Sequence, residues 1–271
     1  GPYDHRTALD EVVQMMGGLA YMTGRPGDPL RAGSSVNDIM GGLFGAIGVM
    51  AALSAREKTG QGCEVQSALF ENNIFLVAQH MMQFAVTGQP AAPMPDRISS
   101  WGIYDVFKVQ DEEQIFLAVV SDTQWAIFCD AFGYEDLKAD PRLLGNNNRV
   151  RNRDWLIPLL RERLALQSAA DLAALFERHG LPFAPITQPH ELLDDPHLCA
   201  TGGLAPITLP DGERAGQTAQ TVLLPLALDG ERLGVRRNPP RLGEHSAELL
   251  AELGYSDEDA ARLSQTVAKA A

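Results

Sequence analysis

Apolar residues recur at helical spacing through most of the first 90 positions. Helical spacing relates Leu9, Val12, Val13, Met16 and Leu19, which predicts one helix over residues 9–22. A second helix is predicted from about 39 to 58, ending at Gly60 with basic residues in its last turns. The segment "CEVQSA" at 63–68 reads as a short strand and leads into a third helix that ends at Gly88.

The period changes after the proline-rich linker "QPAAPMPDR". Residues 102–121 form two β-rich runs around the polar turn "QDEE", a pattern that predicts a hairpin. Three amphipathic helices then follow, and "LPFAPIT" leaves them as an extended segment. Residues 200–245 are extended and rich in turns, and two short helices end the chain. The pattern predicts an α/β protein in two pieces, divided near 90–97 and again near 190–205.

Composition narrows the class of protein. The 271 residues are 45% hydrophobic and 21% charged, enough for one or two globular domains. A net charge of −13 argues against a nucleic-acid partner, so local donors must hold any anionic ligand. Cys63, Cys129 and Cys199 are widely separated and predict free thiols in a reducing cytosol. No apolar run of membrane-spanning length lacks glycine or charge, which predicts a soluble, cytoplasmic protein without a membrane partner.

One acid, Asp38, directly precedes the long apolar run in "SSVNDIMGGLFGAIGVMAAL" at 34–53. The simpler interpretation is a helix cap, because aspartate favours the positive end of the helix dipole. Asn37 can fill that role, however, which leaves the Asp38 carboxylate spare. The same helix has one face of small residues, for which we expect a packing or ligand reason, since glycine is costly in helices. These residues are Gly41, Gly45, Gly48 and Ala52.

A spare carboxylate at a helix start suits covalent chemistry on an acyl group. It could act as the nucleophile, and free backbone N–H groups beside it could stabilise the developing oxyanion. Competing chemistries lack their motifs: the six histidines have no metal-ligand spacing, and no serine-hydrolase elbow, dinucleotide fingerprint or P-loop occurs. The sequence therefore predicts no metal site. On spacing alone, cap and nucleophile both remain open for Asp38.

Several segments occur in an order that resembles the class III CoA-transferases, the CaiB/BaiF family. They include "VNDIMGGLFGAIGVMAAL", "REKTGQGCEVQSALFE", "IYDVFKVQDEEQIFLAVVSDTQW", "NNNRVRNRDWL" and "PPRLGEHSAELLAELGYS". The resemblance implies part of a Rossmann-like large domain plus a small α/β domain, in an interlocked homodimer. It divides the chain into the remainder of the large CoA-binding domain (1–90), the small domain with linkers (91–200) and a C-terminal return to the large domain (201–271).

The resemblance also implies a reaction and site residues. CoA moves from an acyl-CoA donor to a carboxylic acid acceptor through an aspartyl anhydride and an aspartyl-CoA thioester, with coenzyme A or acyl-CoA as substrate and no metal. Arg6 either contacts CoA phosphate or is a solvated residue at a helix start, and Trp101 either contacts substrate or packs at a hinge. The implied residues are Asp38 as nucleophile, Arg6, Thr7 and Leu9 toward CoA, and Ser99, Ser100 and Trp101 toward the acyl or acceptor group.

The sequence departs from the family pattern at its start. The family segment with the first Rossmann strands and many CoA contacts has no counterpart here, so a fragment and a split subunit are both compatible. One alternative function is an α-methylacyl-CoA racemase, but racemases place a catalytic histidine where this chain has Leu9. The other is a truncated chain that binds CoA or dimerises without turnover. The donor and acceptor acids cannot be read from the sequence.

Overall fold

Helices and strands alternate along residues 1–268, which the computed structural model describes. The helices are α1 (Asp10–Met16), α2 (Leu19–Thr23), α3 (Val36–Thr59), α4 (Leu69–Thr87), α5 (Asp122–Phe132), α6 (Glu135–Lys138), α7 (Asn146–Arg151), α8 (Arg153–Leu164), α9 (Ala169–His179), α10 (Pro196–Ala200), α11 (Ser246–Glu252) and α12 (Asp257–Ala268). The strands are β1 (Ile103–Lys108), β2 (Gln114–Val119), β3 (Phe183–Pro185), β4 (Leu204–Thr208), β5 (Thr218–Val222), β6 (Ala227–Leu228) and β7 (Glu231–Arg232). The predicted α/β class is confirmed.

The chain divides into two compact units. The first contains Gly1–Tyr104 and Val119–Ile157, and the second contains Asp105–Ala118 and the chain from Pro158 onward. A three-stranded sheet has the order β1-β2-β3, with β3 antiparallel to β2. The remaining strands form the antiparallel pairs β4–β5 and β6–β7. The hairpin and the three helices predicted after the linker are thus confirmed as β1–β2, α5, α8 and α9.

The single helix predicted over 9–22 is wrong, because the chain breaks there into α1 and α2. Gly17 ends α1, and Gly18 has a positive φ of 87°, a backbone conformation that side chains other than glycine rarely adopt. Gly17 also lies directly against the side chain of Asn73 in α4, where any Cβ would overlap the amide. The break therefore brings the first helix pair close to α4.

Helix α3 begins three residues earlier than predicted, at Val36 rather than near 39, and ends at Gly60 as expected. Gly60 is left-handed, with φ of 70°, and its N–H is bonded to the Arg56 carbonyl. By length and composition, this helix is apolar enough to cross a membrane, in contrast to the sequence expectation. Core helices of soluble proteins meet the same criterion but are mostly buried, whereas none of the apolar window of α3 is buried in the described structure.

Close packing explains part of the face of small residues on α3. A Cβ on Gly48 would lie 2.6 Å from Val65 Cγ1, and one on Gly41 would lie 3.4 Å from Leu69 Cδ1. A Cβ on Gly45 would meet no atom within 4 Å. The segment carrying Val65 was predicted as a strand, which is wrong. Residues 61–68 form no ladder with any strand of the described chain, and Val65 lies instead against Gly48 of the small face.

Each unit has its own buried apolar side chains. Those of the second unit line the inner face of its strands and helices: Phe107, Ile115, Leu117, Leu160, Leu164, Leu172 and Phe176. In the first unit, Cys129 lies fully buried beside Phe128 on α5, and burial raises the pKa of its thiol to about 12. Cys63 and Cys199 are exposed, and all three cysteines are free, as predicted.

Candidate active site

Asp38 is the third residue of α3, and its side chain is exposed. Within the described part of the chain, its carboxylate has no hydrogen-bond or ion-pair partner. The residue at the cap position is Ser35, which makes no side-chain capping bond either. The cap interpretation of Asp38 is therefore wrong, and its carboxylate oxygens are open to solvent.

The helix is capped instead by a residue from a different helix. Asp10, in the first turn of α1, is only 6% exposed. Its Oδ1 accepts hydrogen bonds from the backbone N–H of Asn37 at 2.8 Å and of Asp38 at 3.4 Å. These second and third amides of a helix are the ones that a cap side chain normally binds. Asp10 thus supplies from α1 the cap that neither Ser35 nor Asp38 provides.

Gln14 holds this cap in place one turn further along α1. Its Nε2 donates to Asp10 Oδ2 at 2.6 Å, and its Oε1 accepts from the backbone N–H of Ala32 at 2.8 Å. Gln14 is completely buried. Asp10 is therefore bonded to the start of α3, and Gln14 is bonded to the loop that precedes it. These two contacts fix the position at which the chain enters α3.

A buried amide pair supports the same helix start from the side of α4. Asn37 Oδ1 accepts a hydrogen bond from Asn73 Nδ2 at 3.2 Å, and both residues are completely buried. Asn37 Nδ2 and Asn73 Oδ1 have no hydrogen-bond partner among the described residues. The proposal that Asn37 caps α3 is wrong, because Asn37 lies inside the helix and its side chain pairs with α4.

The first-turn amides of α3, which the sequence predicts as oxyanion donors, are already bonded in the structure. The N–H of Val36 is bonded to the Ser34 carbonyl at 2.9 Å, and the next two N–H groups are bonded to Asp10. Ile39 then makes the first bond within the helix, to the Ser35 carbonyl. Because each of these donors is already bonded, the N–H groups of Val36, Asn37 and Asp38 are not free for a substrate oxyanion in the described structure.

The three residues predicted to contact CoA are all exposed and lie just before α1. The Arg6 guanidinium carbon is 4.3 Å from the centre of the Tyr3 ring, and that ring meets Phe70 of α4 edge-on. Leu9, 69% exposed, is the residue before Asp10, and Thr7 lies between them and Arg6. The structure therefore fixes Arg6 on an aromatic side chain and leaves its charge accessible, which fits a phosphate partner.

The loop carrying Ser99, Ser100 and Trp101 is internally bonded. Ser99 Oγ donates to the Trp101 carbonyl at 2.8 Å and accepts from the Trp101 N–H at 3.3 Å. The Trp101 ring packs on Tyr104, with 4.9 Å between ring centres. Ser100 is exposed, and its hydroxyl has no partner in the described residues. Of the three residues, Ser100 has the hydroxyl that is available to a ligand.

Two residues that sequence reasoning missed fix this loop from α7 and α8. Asn146 accepts from the Gly102 N–H at 3.0 Å and donates to the Ser100 carbonyl at 2.8 Å. Arg153 donates to the Trp101 and Gly102 carbonyls at 3.1 and 2.8 Å. The only sequence signal was the run of asparagine and arginine in "NNNRVRNRDWL", which gives no indication of which carbonyls they bind.

Replacement of Asn146 is expected to loosen the loop. Asn146→Ala removes two hydrogen bonds, which we expect to lower the free energy of unfolding by about 1–2 kcal/mol. Amide hydrogen exchange at Gly102 should become faster, because its N–H loses its acceptor. The neighbouring exposed Asn147 is a matched control, and Asn147→Ala should leave both measurements unchanged. Equal exchange at Gly102 in both variants would contradict the assigned role of Asn146.

A family model described as CoA-transferase family III matches residues 1–246. The chain belongs to CoA-transferase family III. The family predicted from the sequence motifs is therefore confirmed. Within the described residues no cluster of histidine, cysteine and acidic side chains could hold a metal ion.

Relatives of known name extend this likeness along almost the whole chain. An acyl-CoA transferase of Fusarium pseudograminearum is 33% identical over 264 residues, covering 97% of this chain and 57% of that protein. The acetyl-CoA:oxalate CoA-transferase of Acetobacter aceti is 32% identical over 202 residues, covering 74% of this chain and 52% of that enzyme. The crystal structure of a CaiB/BaiF family protein from Brucella suis has a TM-score of 0.81 and 29% identity, covering 93% of this chain and 65% of the other.

The coverage has a consequence for function. The chain spans between 52% and 65% of the length of these three relatives. It contains the helix start with Asp38, the loop at 99–102 and the residues around Arg6.

Proposed function

We propose that this chain carries the nucleophile of a CoA-transferase, Asp38, and that CoA passes between two carboxylic acids through its carboxylate. The observation that supports this most directly is the division of roles at the start of α3. Asp10 caps the helix, whereas the Asp38 carboxylate is exposed and has no partner in the described residues. A carboxylate in that situation is available to attack an acyl group.

The proposed reaction begins with attack of an Asp38 carboxylate oxygen on the thioester carbonyl of the donor acyl-CoA. The C–S bond breaks, CoA leaves as thiolate, and a mixed anhydride of the donor acid and Asp38 forms. The thiolate then attacks the aspartyl carbonyl, which releases the donor acid and leaves an aspartyl-CoA thioester. Because anhydride and thioester have similar transfer potential, neither step needs ATP.

The second half reverses these steps with the acceptor acid. The acceptor carboxylate attacks the aspartyl-CoA thioester, which gives a new anhydride and free CoA thiolate. The thiolate attacks the acceptor carbonyl, so that the acceptor leaves as its CoA thioester and Asp38 is a carboxylate again. CoA held beside Asp38 between the steps reacts at a high effective concentration.

Other residues have proposed binding roles. Arg6 binds a CoA phosphate through its guanidinium, with Thr7 and Leu9 lining the same segment, because a net charge of −13 leaves anion binding to local cations. The exposed hydroxyl of Ser100 contacts the acyl or acceptor group, while Ser99 and Trp101 shape the loop. Since the N–H groups of Val36, Asn37 and Asp38 are bonded, other donors close to Asp38 stabilise the oxyanion.

Three further proposals rest on membership of the family. They are an interlocked homodimer, a cytoplasmic location, and a large CoA-binding domain (1–90 and 201–271) with a small domain (91–200). Three similar proteins are named for transfer of CoA to oxalate, to glutarate and to mesaconate. We therefore propose a small dicarboxylic acid as one of the two acids.

Chemical trapping tests the proposed nucleophile. The assembled enzyme is incubated with acetyl-CoA or succinyl-CoA, treated with hydroxylamine or borohydride, and digested for mass spectrometry. We expect a hydroxamate or a reduced side chain at Asp38 with a donor present, and none with free CoA alone. The absence of any adduct at Asp38 with every donor, in an enzyme that transfers CoA, would rule out this mechanism.

A further inference from the structure

We infer that Asp10 is a positioning residue for CoA transfer: its buried carboxylate caps α3 from α1 and so keeps the Asp38 carboxylate free to react. This inference rests on the proposed role of Asp38 as nucleophile. It concerns a residue that touches neither acyl group nor CoA in the proposed reaction and that acts through the backbone of Asp38.

The local sequence makes this arrangement unexpected. Ser34, Ser35 and Asn37 are residue types that cap helices well, and all three lie at the start of α3. The structure uses none of their side chains on the helix amides. A buried carboxylate from 27 residues earlier in the chain binds those amides instead. Such an arrangement has to be maintained by tertiary packing, which is costly for a function that a local serine could fulfil.

The cap from Asp10 affects the side chain of Asp38. An acid at the third position of a helix can fold back and bind a backbone N–H at the helix start, as it does with the N-cap N–H in a capping box. Here the amides of Asn37 and Asp38 are bonded to Asp10, and that of Val36 is bonded to Ser34. The amides of the first helical turn are thus bonded without Asp38, and its oxygens are not occupied, in the described residues, by hydrogen bonds that would stabilise the charge and weaken the nucleophile.

The cap is also held firmly enough to fix a position. Asp10 Oδ2 accepts from Gln14 Nε2 at 2.6 Å, and Gln14 is bonded in turn to the backbone of Ala32. The same carboxylate reaches the Asp38 N–H itself, at 3.4 Å. Two hydrogen-bonded side chains of α1 thus determine where the backbone of the proposed nucleophile lies, and small displacements of a reacting group lower rates strongly.

The acid that follows Asp10 in the sequence makes only a surface contact. Glu11 is exposed and forms an ion pair with Arg31, which is a surface contact of little energetic value. Glu11 shares the first turn of α1 with Asp10 but, among the described residues, makes no hydrogen bond to α3. Glu11→Gln is therefore a matched control for Asp10→Asn, with the same change of charge one residue away.

The experiment compares these variants in the assembled enzyme that transfers CoA. For Asp10→Ala we expect kcat to fall by about 100-fold while KM for the acyl-CoA changes less than about twofold. Asp10→Asn retains one acceptor for the Asn37 amide and should recover part of that loss. Hydrogen exchange of the Asn37 and Asp38 amides should become at least about tenfold faster in Asp10→Ala, because both N–H groups lose their acceptor. Glu11→Gln should match the wild type in all three measurements.

The possible results distinguish the inference from the proposed function. If Asp38→Asn is inactive while Asp10→Ala keeps kcat within threefold of wild type, Asp38 is the nucleophile and the inference about Asp10 is wrong. A loss that appears only in KM, or unchanged exchange at Asn37 and Asp38, also overturns it. If Asp38→Asn keeps full activity, the proposed function fails first. Where Asp10→Ala does not fold, the kcat and exchange of Asp10→Asn decide in the same way.

Discussion

Asp38→Asn and Asp38→Ala are each expected to lower the rate of CoA transfer by about 10⁴-fold or more, as loss of a covalent nucleophile does in other enzymes. A carboxamide has nearly the shape of the carboxylate but cannot form the anhydride. Because the Asp38 side chain is exposed and has no partner in the described residues, the free energy of unfolding should change by less than about 0.5 kcal/mol. Chromatographic assay of the product acyl-CoA measures the first effect, and urea denaturation measures the second.

Glu71 provides the control for this loss. It is an exposed acid in the first turn of α4, so it shares with Asp38 the helix position, the charge and the exposure. Glu71→Gln should keep the transfer rate within about twofold, as expected for a change of an exposed side chain with no role in the proposed reaction. A transfer rate in Asp38→Asn above about 1% of wild type, with Glu71→Gln unchanged, would contradict a covalent role for Asp38.

The sequence predicted the elements that depend on nearby residues. The β-rich runs around "QDEE", the amphipathic helices α5, α8 and α9, and the glycine caps at Gly60 and Gly88 all have local signals, and each is confirmed. The position of Asp38 at the start of a helix was also evident from local pattern. These features could be read because side-chain periodicity and glycine conformation act over only a few residues.

The features that failed depend on contacts far along the chain. The predicted strand at 63–68 lacks a ladder, and a strand exists only where a neighbour pairs with it. The continuous helix predicted over 9–22 ignored Asn73, whose side chain lies against Gly17 and leaves no space for a Cβ. A pattern within one segment contains no information about such a neighbour.

In the candidate site too, the residues with a local signal could be predicted and the contacts between distant residues could not. Asp38 has a local signal and a motif, whereas its cap, Asp10, lies 27 residues away and looks in the sequence like an ordinary first-turn acid. Asn146 and Arg153 lie 44 and 51 residues from the Gly102 groups that they bind. The predicted oxyanion donors failed for this reason: helix periodicity identifies the amides at a helix start, but not that a distant carboxylate already occupies them.

Gly17→Ala is expected to be strongly destabilising, because the added methyl group meets a buried side chain of α4. The added Cβ would overlap Asn73 Oδ1 and lie 2.5 Å from its Cγ and 2.9 Å from its Cβ. Asn73 is completely buried and bonded to Asn37, so it cannot move without losing that hydrogen bond. Overpacking together with a broken buried bond should lower the free energy of unfolding by about 3 kcal/mol or more, measured by urea denaturation.

Gly42→Ala adds the same methyl group where nothing lies within 4 Å, on α3 four residues after Asp38. Alanine is the better helix former, so this variant should be more stable by up to about 1 kcal/mol, opposite in sign to Gly17→Ala. Gly17→Ala should also lower kcat, because Asn37, the partner of Asn73, is bonded through its N–H to Asp10 at the helix start. Equal stability of the two variants would mean that Asn73 can move aside without cost, and that the amide pair does not hold the start of α3.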